Sequence, residues 1–305
     1  MLCSGSLTEK WGNLLKTIRF AAALLSGTVC FCLTLAILGI SRVKGGPAFA
    51  QKTFTIIWFW WAKRFLKLKV QGLSVFETTK KPVLLVSNHE GTLDAFLINM
   101  AVPAKFKLVR TLGADWLFKN KGLKFFLKSL GAVQICRTDP RPACAGRRFS
   151  DSIKERRAKL ANLIACGKQG QTILMFPQGR IMPEGKFDDC RKGAAEMIIA
   201  MPELTVIPIA VQGTRDLVFQ TNPDSQKLRL NLKNLWNFCG ERARGMTITF
   251  GRPLDYRYLA DKNQRNKHVD EETLRIVLTN EIKYKLIELT KDGQYALFRM
   301  TAKSG

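Results

Sequence analysis

Acidic residues, histidines and paired cysteines are all scarce in this sequence. Only 24 Asp and Glu stand against 49 Lys and Arg in the 305 residues, and there are two histidines. The eight cysteines form no C-x-x-C pair, which argues against a zinc cluster and a disulfide framework and favours a reducing compartment. We therefore expect no metal site.

The shortage of acidic residues leaves a formal net charge of +25 at pH 7. A surface this basic favours an anionic partner: nucleic acid, an anionic membrane or an acidic carrier protein. Nucleic-acid binding is supported by charge alone, because no recognition motif accompanies it. We expect no nucleic-acid partner. The length suits one main domain with an appendage.

Charged residues are absent from positions 20–40, a run of 21 residues that is about long enough to span a bilayer core. A cleaved signal peptide is the alternative, since Ala48-Phe49-Ala50 resembles a cleavage site. The run is longer than the roughly 7–15 apolar residues of a signal peptide, and Arg42 and Lys44 lie before the supposed site. We expect the segment to be retained.

Residues 53–68 place Trp58, Trp60 and Trp61 among basic side chains, which suits the headgroup layer of a membrane. A buried helix of a soluble core is the alternative. Basic residues at positions 63–69 predict that the main domain lies on the cytoplasmic face. We expect membrane-anchoring helices over 1–70, as a spanning helix or a hairpin within one leaflet, and an α/β domain over 71–305.

From residue 82 onward, short apolar runs alternate with amphipathic ones. Strands are predicted at 83–87, 107–111, 132–135, 172–176, 205–211 and 246–250. Helices are predicted at 94–101, 115–130, 151–166, 191–201 and 271–289. This alternation predicts an α/β fold with a mostly parallel sheet flanked by helices, after an N-terminal membrane-associated helical segment.

His89 and Asp94 form the strongest candidate pair for chemistry. The first predicted strand ends at Ser87, the following loop presents His89, and Asp94 begins the next predicted helix. An imidazole can remove a proton from a hydroxyl if a carboxylate fixes its tautomer and stabilises the imidazolium. The alternative is an Asp94 that only caps the helix beside a surface histidine. Open α/β sheets bind their ligands at the carboxyl ends of the strands, so the position of His89 after a strand favours a functional site.

Four motifs carry a resemblance to a known family. They are Asn88-His89 with Asp94, Gly131 to Arg137, Phe176 to Ile181, and Val206 to Ile209. With these four motifs in this order, the chain resembles the glycerolipid (lysophospholipid) acyltransferase family. The resemblance implies acyl transfer from acyl-CoA or acyl-carrier protein, as co-substrate and without a cofactor, to a lysophospholipid hydroxyl. It implies 1-acylglycerol-3-phosphate as the acceptor and membrane phospholipids as partners.

The same resemblance implies which residues form the site. His89 and Asp94 are the implied catalytic pair. The implied substrate-binding residues are Arg137, Phe176, Pro177, Gln178, Gly179 and Arg180. Arginine can hold a phosphate through two parallel hydrogen bonds, which lysine does not provide in that geometry. Solvated surface arginines are the alternative.

The third motif departs from the family at two positions. Gln178 stands where the family has glutamate, and Arg180 follows the glycine directly. A glycine–arginine–isoleucine sequence resembles the subgroup that acylates lysophosphatidylethanolamine or related lysolipids, which is the alternative acceptor class. A catalytically inactive, basic membrane-binding protein is the alternative of another kind, favoured by Gln178 and disfavoured by the intact His89 and Asp94.

Overall fold

The structure is a computed structural model, and most of the chain is described by it. The described residues are 4–41, 46–106, 108–119, 121–129, 131–135, 153–181, 187, 189–215, 219–222, 227–230, 232–238, 245–256 and 270–290. Arg137 lies outside them, as do both cysteines at 136 and 144.

Two helices begin the chain and pack against each other: α1 (Ser4–Ser41) and α2 (Gly46–Phe65). Indole N–H groups of α2 fix their antiparallel alignment. The Trp58 Nε1 donates to Thr34 Oγ1 at 2.8 Å, and the Trp61 Nε1 donates to the Ala23 carbonyl at 3.2 Å. The apolar run and the tryptophan-rich segment are thus both helical. Within the described chain one stretch, Lys10–Ile37, is long and apolar enough to cross a membrane by length and composition.

The remaining elements alternate between strands and helices. The strands are β1 (Lys69–Gln71), β2 (Val83–Ser87), β3 (Val109–Ala114), β4 (Ala132–Ile135), β5 (Thr172–Met175), β6 (Thr205–Gln212), β7 (Phe219–Asn222), β8 (Lys227–Leu230) and β9 (Thr247–Phe250). The helices are α3 (Val75–Thr78), α4 (Asp94–Ala101), α5 (Lys121–Ser129), α6 (Ile153–Lys168), α7 (Gly193–Ala200), α8 (Leu232–Phe238) and α9 (Glu271–Leu289). Short 3₁₀ helices cover Ala104–Phe106 and Asp115–Phe118.

Seven strands form one mixed sheet in the order β1-β9-β6-β2-β5-β3-β4. All neighbours are parallel except β6 and β9, which are antiparallel. Strands β7 and β8 pair as a separate, two-stranded antiparallel sheet. The predicted α/β class with a mostly parallel sheet is confirmed.

Strand β2 lies at the centre of the sheet and is buried along its whole length. Its side chains alternate between two cores, because successive strand residues point to opposite faces. Val83 and Leu85 pack with residues of α2 and α4, while Leu84 and Val86 pack with residues of α6, α7 and α9. Helices therefore cover both faces, as a parallel sheet requires.

Each predicted strand has an observed counterpart within a few residues, and the helix at 271–289 has the predicted bounds. The single helix predicted over 115–130 is wrong. Strand β3 continues to Ala114, and a 3₁₀ turn then brings the buried Phe118 against Gly113, where an added Cβ would lie 2.9 Å from its ring. The amphipathic part begins only at Lys121, as α5.

Candidate active site

Three loops meet at one edge of the sheet because the strands before them are parallel neighbours. Strand β2 lies between β5 and β6, so the carboxyl ends of all three are adjacent. Residues 88–93 follow β2, residues 176–180 follow β5, and residues 213–215 follow β6. Open α/β sheets bind their ligands at this edge.

The side chain of Asn88 fixes the start of the first loop. Its Nδ2 donates to the Val211 carbonyl at 2.8 Å, and its Oδ1 accepts from the Val211 N–H at 2.7 Å. The amide thus makes two hydrogen bonds to β6 of the kind that a backbone peptide makes in a sheet. Because Asn88 is buried, this pair holds the loop firmly at the strand end.

His89 and Asp94 are in direct contact, as their spacing predicts. The His89 Nδ1 lies 2.8 Å from Asp94 Oδ2. Asp94 is fully buried, whereas the His89 side chain keeps 18% of its surface exposed. We assign the proton to Nδ1, because an ionised carboxylate only accepts hydrogen bonds. The other ring nitrogen, Nε2, is then the basic atom, in the arrangement of an oriented general base.

The carboxylate of Asp94 accepts hydrogen bonds at both oxygens. Besides the imidazole, Oδ2 accepts from the backbone N–H groups of Glu90 at 2.7 Å and Gly91 at 2.9 Å. The hydroxyl of Thr214 donates to Oδ1 at 2.5 Å. Hydrogen bonds to a buried carboxylate stabilise its charged form, which is the form that can support an imidazolium.

The alternative in which Asp94 serves only as a helix cap is wrong. The cap of α4 is Leu93, which makes no side-chain cap hydrogen bond. Asp94 is the first residue of the helix, and its oxygens bond to the loop and to the imidazole instead of to the N–H groups of the helix's first turn. Its position in the first turn also suits a negative charge, because the helix dipole is positive there.

Gly91 allows the turn after β6 to approach the catalytic loop closely. A Cβ added to Gly91 would lie 2.2 Å from the Thr214 carbonyl oxygen and 2.8 Å from its carbon. Backbone atoms this close leave no room for any side chain, which explains a glycine here.

Glu90 is a second carboxyl group beside the pair. Its Oε2 accepts from the Gly213 N–H at 3.0 Å. Burial raises the pKa of Glu90 to about 7, with the Asp94 charge acting in the same direction, while Arg215 and the N–H groups after β6 lower the pKa. Sequence reasoning missed Glu90 and Thr214. The position of Thr214 just beyond a predicted strand was the one available signal.

The loop after β5 contacts the catalytic pair through Phe176. Its ring stacks on the imidazole of His89, with centroids 4.2 Å apart and 22° between the planes. A tight turn follows, in which the Gly179 N–H donates to the Phe176 carbonyl at 2.9 Å and Gly179 has a φ of +68°. The Arg191 guanidinium lies over Gly179, where an added Cβ would be 2.8 Å from Nε.

Gln178 is buried in this turn, at 3% exposure, beside the buried Pro177. Within the described residues, neither its Oε1 nor its Nε2 has a hydrogen-bond partner. Arg180 is partly buried on the same turn. The structure therefore places Phe176 against His89 and the other four predicted residues, 177–180, on the turn that follows Phe176, whereas Arg137 lies outside the described residues. Across the described chain, no three His, Cys, Asp or Glu side chains gather as metal ligands.

Comparison with known proteins agrees with this geometry. An acyltransferase family model matches residues 67–212. The chain is 26% identical over 200 residues to a chloroplastic 1-acyl-sn-glycerol-3-phosphate acyltransferase of Brassica napus, covering 61% of this chain and 53% of that protein. A chloroplastic 1-acyl-sn-glycerol-3-phosphate acyltransferase of Arabidopsis thaliana is 26% identical over 188 residues, which cover 60% of this chain and 48% of that protein. The chain spans about half the length of these curated relatives.

A solved structure shares the fold: the 1-acyl-sn-glycerophosphate acyltransferase PlsC of Thermotoga maritima. It superposes with a TM-score of 0.53 at 19% identity, over 92% of this chain and 97% of that one. The matched family region contains His89, Asp94 and the turn at 176–180. Residues 67–212 of the chain therefore match the acyltransferase family. The family resemblance inferred from the motifs is confirmed.

Proposed function

We propose that the protein transfers an acyl group from acyl-CoA or acyl-carrier protein to the free hydroxyl of 1-acylglycerol-3-phosphate, giving phosphatidic acid. The observation that carries the proposal is the 2.8 Å contact between His89 Nδ1 and the buried Asp94 carboxylate, in a chain of the acyltransferase family. The names of the curated relatives support the acceptor. No cofactor is part of this reaction.

The proposed reaction uses His89 twice. Its Nε2 removes the proton from the acceptor hydroxyl as the oxygen attacks the thioester carbonyl, and Asp94 stabilises the imidazolium that forms. The tetrahedral intermediate then collapses, the carbon–sulfur bond breaks, and the leaving thiolate takes the proton from His89. The products are an ester and a free thiol, and the histidine returns to its starting state.

We place the acceptor phosphate at the turn after β5. Arg180, together with Arg137, supplies guanidinium groups that can each make two hydrogen bonds to a phosphate. The buried amide of Gln178, at the same turn, has donor and acceptor atoms that no described residue bonds to. A glutamine also adds no negative charge, so the turn repels an anionic headgroup less than the usual glutamate would.

Membrane attachment through residues 1–70 would bring the active domain to its lipid acceptor. Helix α1 exposes many large apolar side chains: Trp11, Leu14, Leu15, Ile18, Leu24, Leu25, Val29, Phe31, Leu33 and Leu35. On α2, Trp60 is 60% exposed and Trp61 is 7% exposed. We place the active domain on the cytoplasmic face, because basic residues follow the apolar helix.

Lysophosphatidylethanolamine is the second candidate acceptor. The observation that favours it is Arg180 directly after Gly179, as in the subgroup that the third motif resembles. The inactive alternative does not suit the oriented His89–Asp94 pair, since the site keeps both groups that acyl transfer needs.

A panel of lysolipid acceptors tests the proposal. The full-length protein in vesicles is given each acceptor with radiolabelled acyl-CoA or acyl-carrier protein, and the labelled product is measured. We expect the highest kcat/KM with 1-acylglycerol-3-phosphate. A higher value with lysophosphatidylethanolamine would favour the second candidate, and no product with any acceptor would overturn the proposed reaction.

A further inference from the structure

Among the described residues, Asp94 has one hydrogen-bond partner that comes from far along the chain. Thr214, 120 residues away, is 1% exposed and donates its hydroxyl to Oδ1 at 2.5 Å. The three donors on Oδ2 belong to the catalytic loop itself. Thr214 therefore bonds to Oδ1, the carboxylate oxygen to which the catalytic loop does not donate.

We infer that Thr214 is a positioning residue for the catalytic pair. Asp94 can meet the imidazole in line only while its carboxylate keeps one rotation about the Cβ–Cγ bond. Donors on Oδ2 alone fix one atom, and a donor on Oδ1 fixes the plane. By setting that plane, Thr214 sets the direction of the Nδ1 hydrogen bond and hence the orientation of the His89 ring.

The surrounding contacts also hold the loop after β2 close to the loop after β6. Gly91 has no side chain where the Thr214 carbonyl lies, and the Gly213 N–H donates to Glu90. Strand β6 is itself paired with β2, from Thr205 opposite Val83 to Ile209 opposite Ser87. The sheet register thus delivers the hydroxyl of Thr214 to Asp94.

Removal of this hydroxyl should affect turnover and not substrate binding. Thr214 is too buried to touch either substrate, so its effect must pass through Asp94. Small errors in the placement of catalytic groups lower rates by up to about 100-fold. We expect kcat to fall about 10- to 100-fold in Thr214→Val, with the KM values for donor and acceptor unchanged.

Two further variants separate positioning from packing. Thr214→Ser keeps the hydroxyl and should restore most of the lost kcat. Thr172 on β5 is the matched control, since it is also fully buried but its hydroxyl has no partner among the described residues. Thr172→Val makes the same chemical change and should leave kcat intact.

A second measurement does not depend on turnover, which matters because the inference rests on the proposed function. The chain has two histidines, so in a His268→Gln background a ¹⁵N-histidine label reports on His89 alone. In detergent, the Nδ1 proton bonded to Asp94 should give a resolved, slowly exchanging NMR signal. Thr214→Val should shift or broaden it, while Thr214→Ser and Thr172→Val should leave it in place.

The outcomes distinguish the two claims. An inactive parent protein whose Nδ1 signal still responds to Thr214→Val would overturn the proposed function and support the positioning role. An active Thr214→Val enzyme with parental kcat and an unchanged signal would overturn the positioning role. So would a loss of kcat that Thr214→Ser fails to restore and that follows a loss of thermal stability.

Discussion

The phenyl ring of Phe176 lies almost parallel to the imidazole of His89, with the ring centroids 4.2 Å apart. The two residues follow neighbouring parallel strands, so the stack links the loop after β5 to the loop after β2. It covers one face of the imidazole and leaves the ring edge, with the basic atom Nε2, for chemistry. Ring rotation is thereby restricted from a second direction, in addition to the hydrogen bond to Asp94.

We predict that Phe176→Ala lowers kcat about tenfold, because an unsupported imidazole samples orientations that do not serve the reaction. Phe176→Tyr keeps the ring face and should retain most of the activity. The measurement is steady-state kinetics with the preferred acceptor. Equal kcat in Phe176→Ala and the parent enzyme would show that the hydrogen bond to Asp94 orients His89 without help.

Glu90 predicts a particular dependence of stability on pH. Its pKa rises from an ordinary 4.5 to about 7 in the folded protein, chiefly through burial. Between pH 4.5 and about 7, the Glu90 carboxyl therefore binds its proton more tightly in the folded state than in the unfolded chain. Stability from this group is greatest below pH 4.5, decreases as the pH rises through the window, and is constant above about 7.

Glu90→Gln should remove this dependence, since an amide does not titrate. Relative to this variant, the parent protein should lose up to about 3 kcal/mol of unfolding free energy between pH 4.5 and 7. Chemical denaturation at several pH values gives the difference between the two proteins. A parent protein that gains stability relative to Glu90→Gln as the pH rises would have the opposite sign and would contradict the assigned shift.

Gln178 should trade stability for acceptor binding. Its buried amide has no partner among the described residues, and a buried unsatisfied polar group costs about 1–3 kcal/mol. Gln178→Met fills the same volume without that cost, so we predict a higher melting temperature. If the amide bonds to the acceptor, the same change should raise the acceptor KM and spare the donor KM. A stabilised variant with unchanged acceptor KM would remove Gln178 from the binding site.

The adjacent tryptophans of α2 should have opposite roles. Trp60 is exposed, so Trp60→Ser should weaken flotation with anionic vesicles and leave thermal stability unchanged. Trp61 packs in the core that α2 shares with the sheet, so Trp61→Ser should cost about 3 kcal/mol or more. Vesicle flotation and thermal denaturation are measured on both. Equal flotation of Trp60→Ser and the parent protein would exclude Trp60 from the membrane-facing surface.

The part of the site that sequence reasoning reached is local. His89 and Asp94 lie five residues apart across one loop, so their contact follows from a strand end and a helix start. The turn at 176–180 was found through its motif, and the strand pattern placed His89 at the end of a strand. The apolar β2 and its parallel neighbours were predictable because buried parallel strands are continuously apolar.

The features that sequence reasoning missed depend on contacts between segments that are far apart in the sequence. Thr214 reaches Asp94 only because β6 lies beside β2 in a specific register, which a single sequence does not encode in any local pattern. The burial of Gln178 and the pKa of Glu90 follow from the same three-loop packing. The pair of strands β7 and β8 and helix α8 were missed because their segments are only four to seven residues long.

The most direct test of the central claim is the turnover number of His89→Ala in the full-length, vesicle-bound protein. General base catalysis contributes about 10²–10⁴-fold, so we predict that kcat for acyl transfer to 1-acylglycerol-3-phosphate falls by at least about 100-fold. Flotation and melting temperature should match the parent protein, since His89 lies in a loop and is partly exposed. A His89→Ala protein that transfers acyl groups at close to the parental rate would contradict the account.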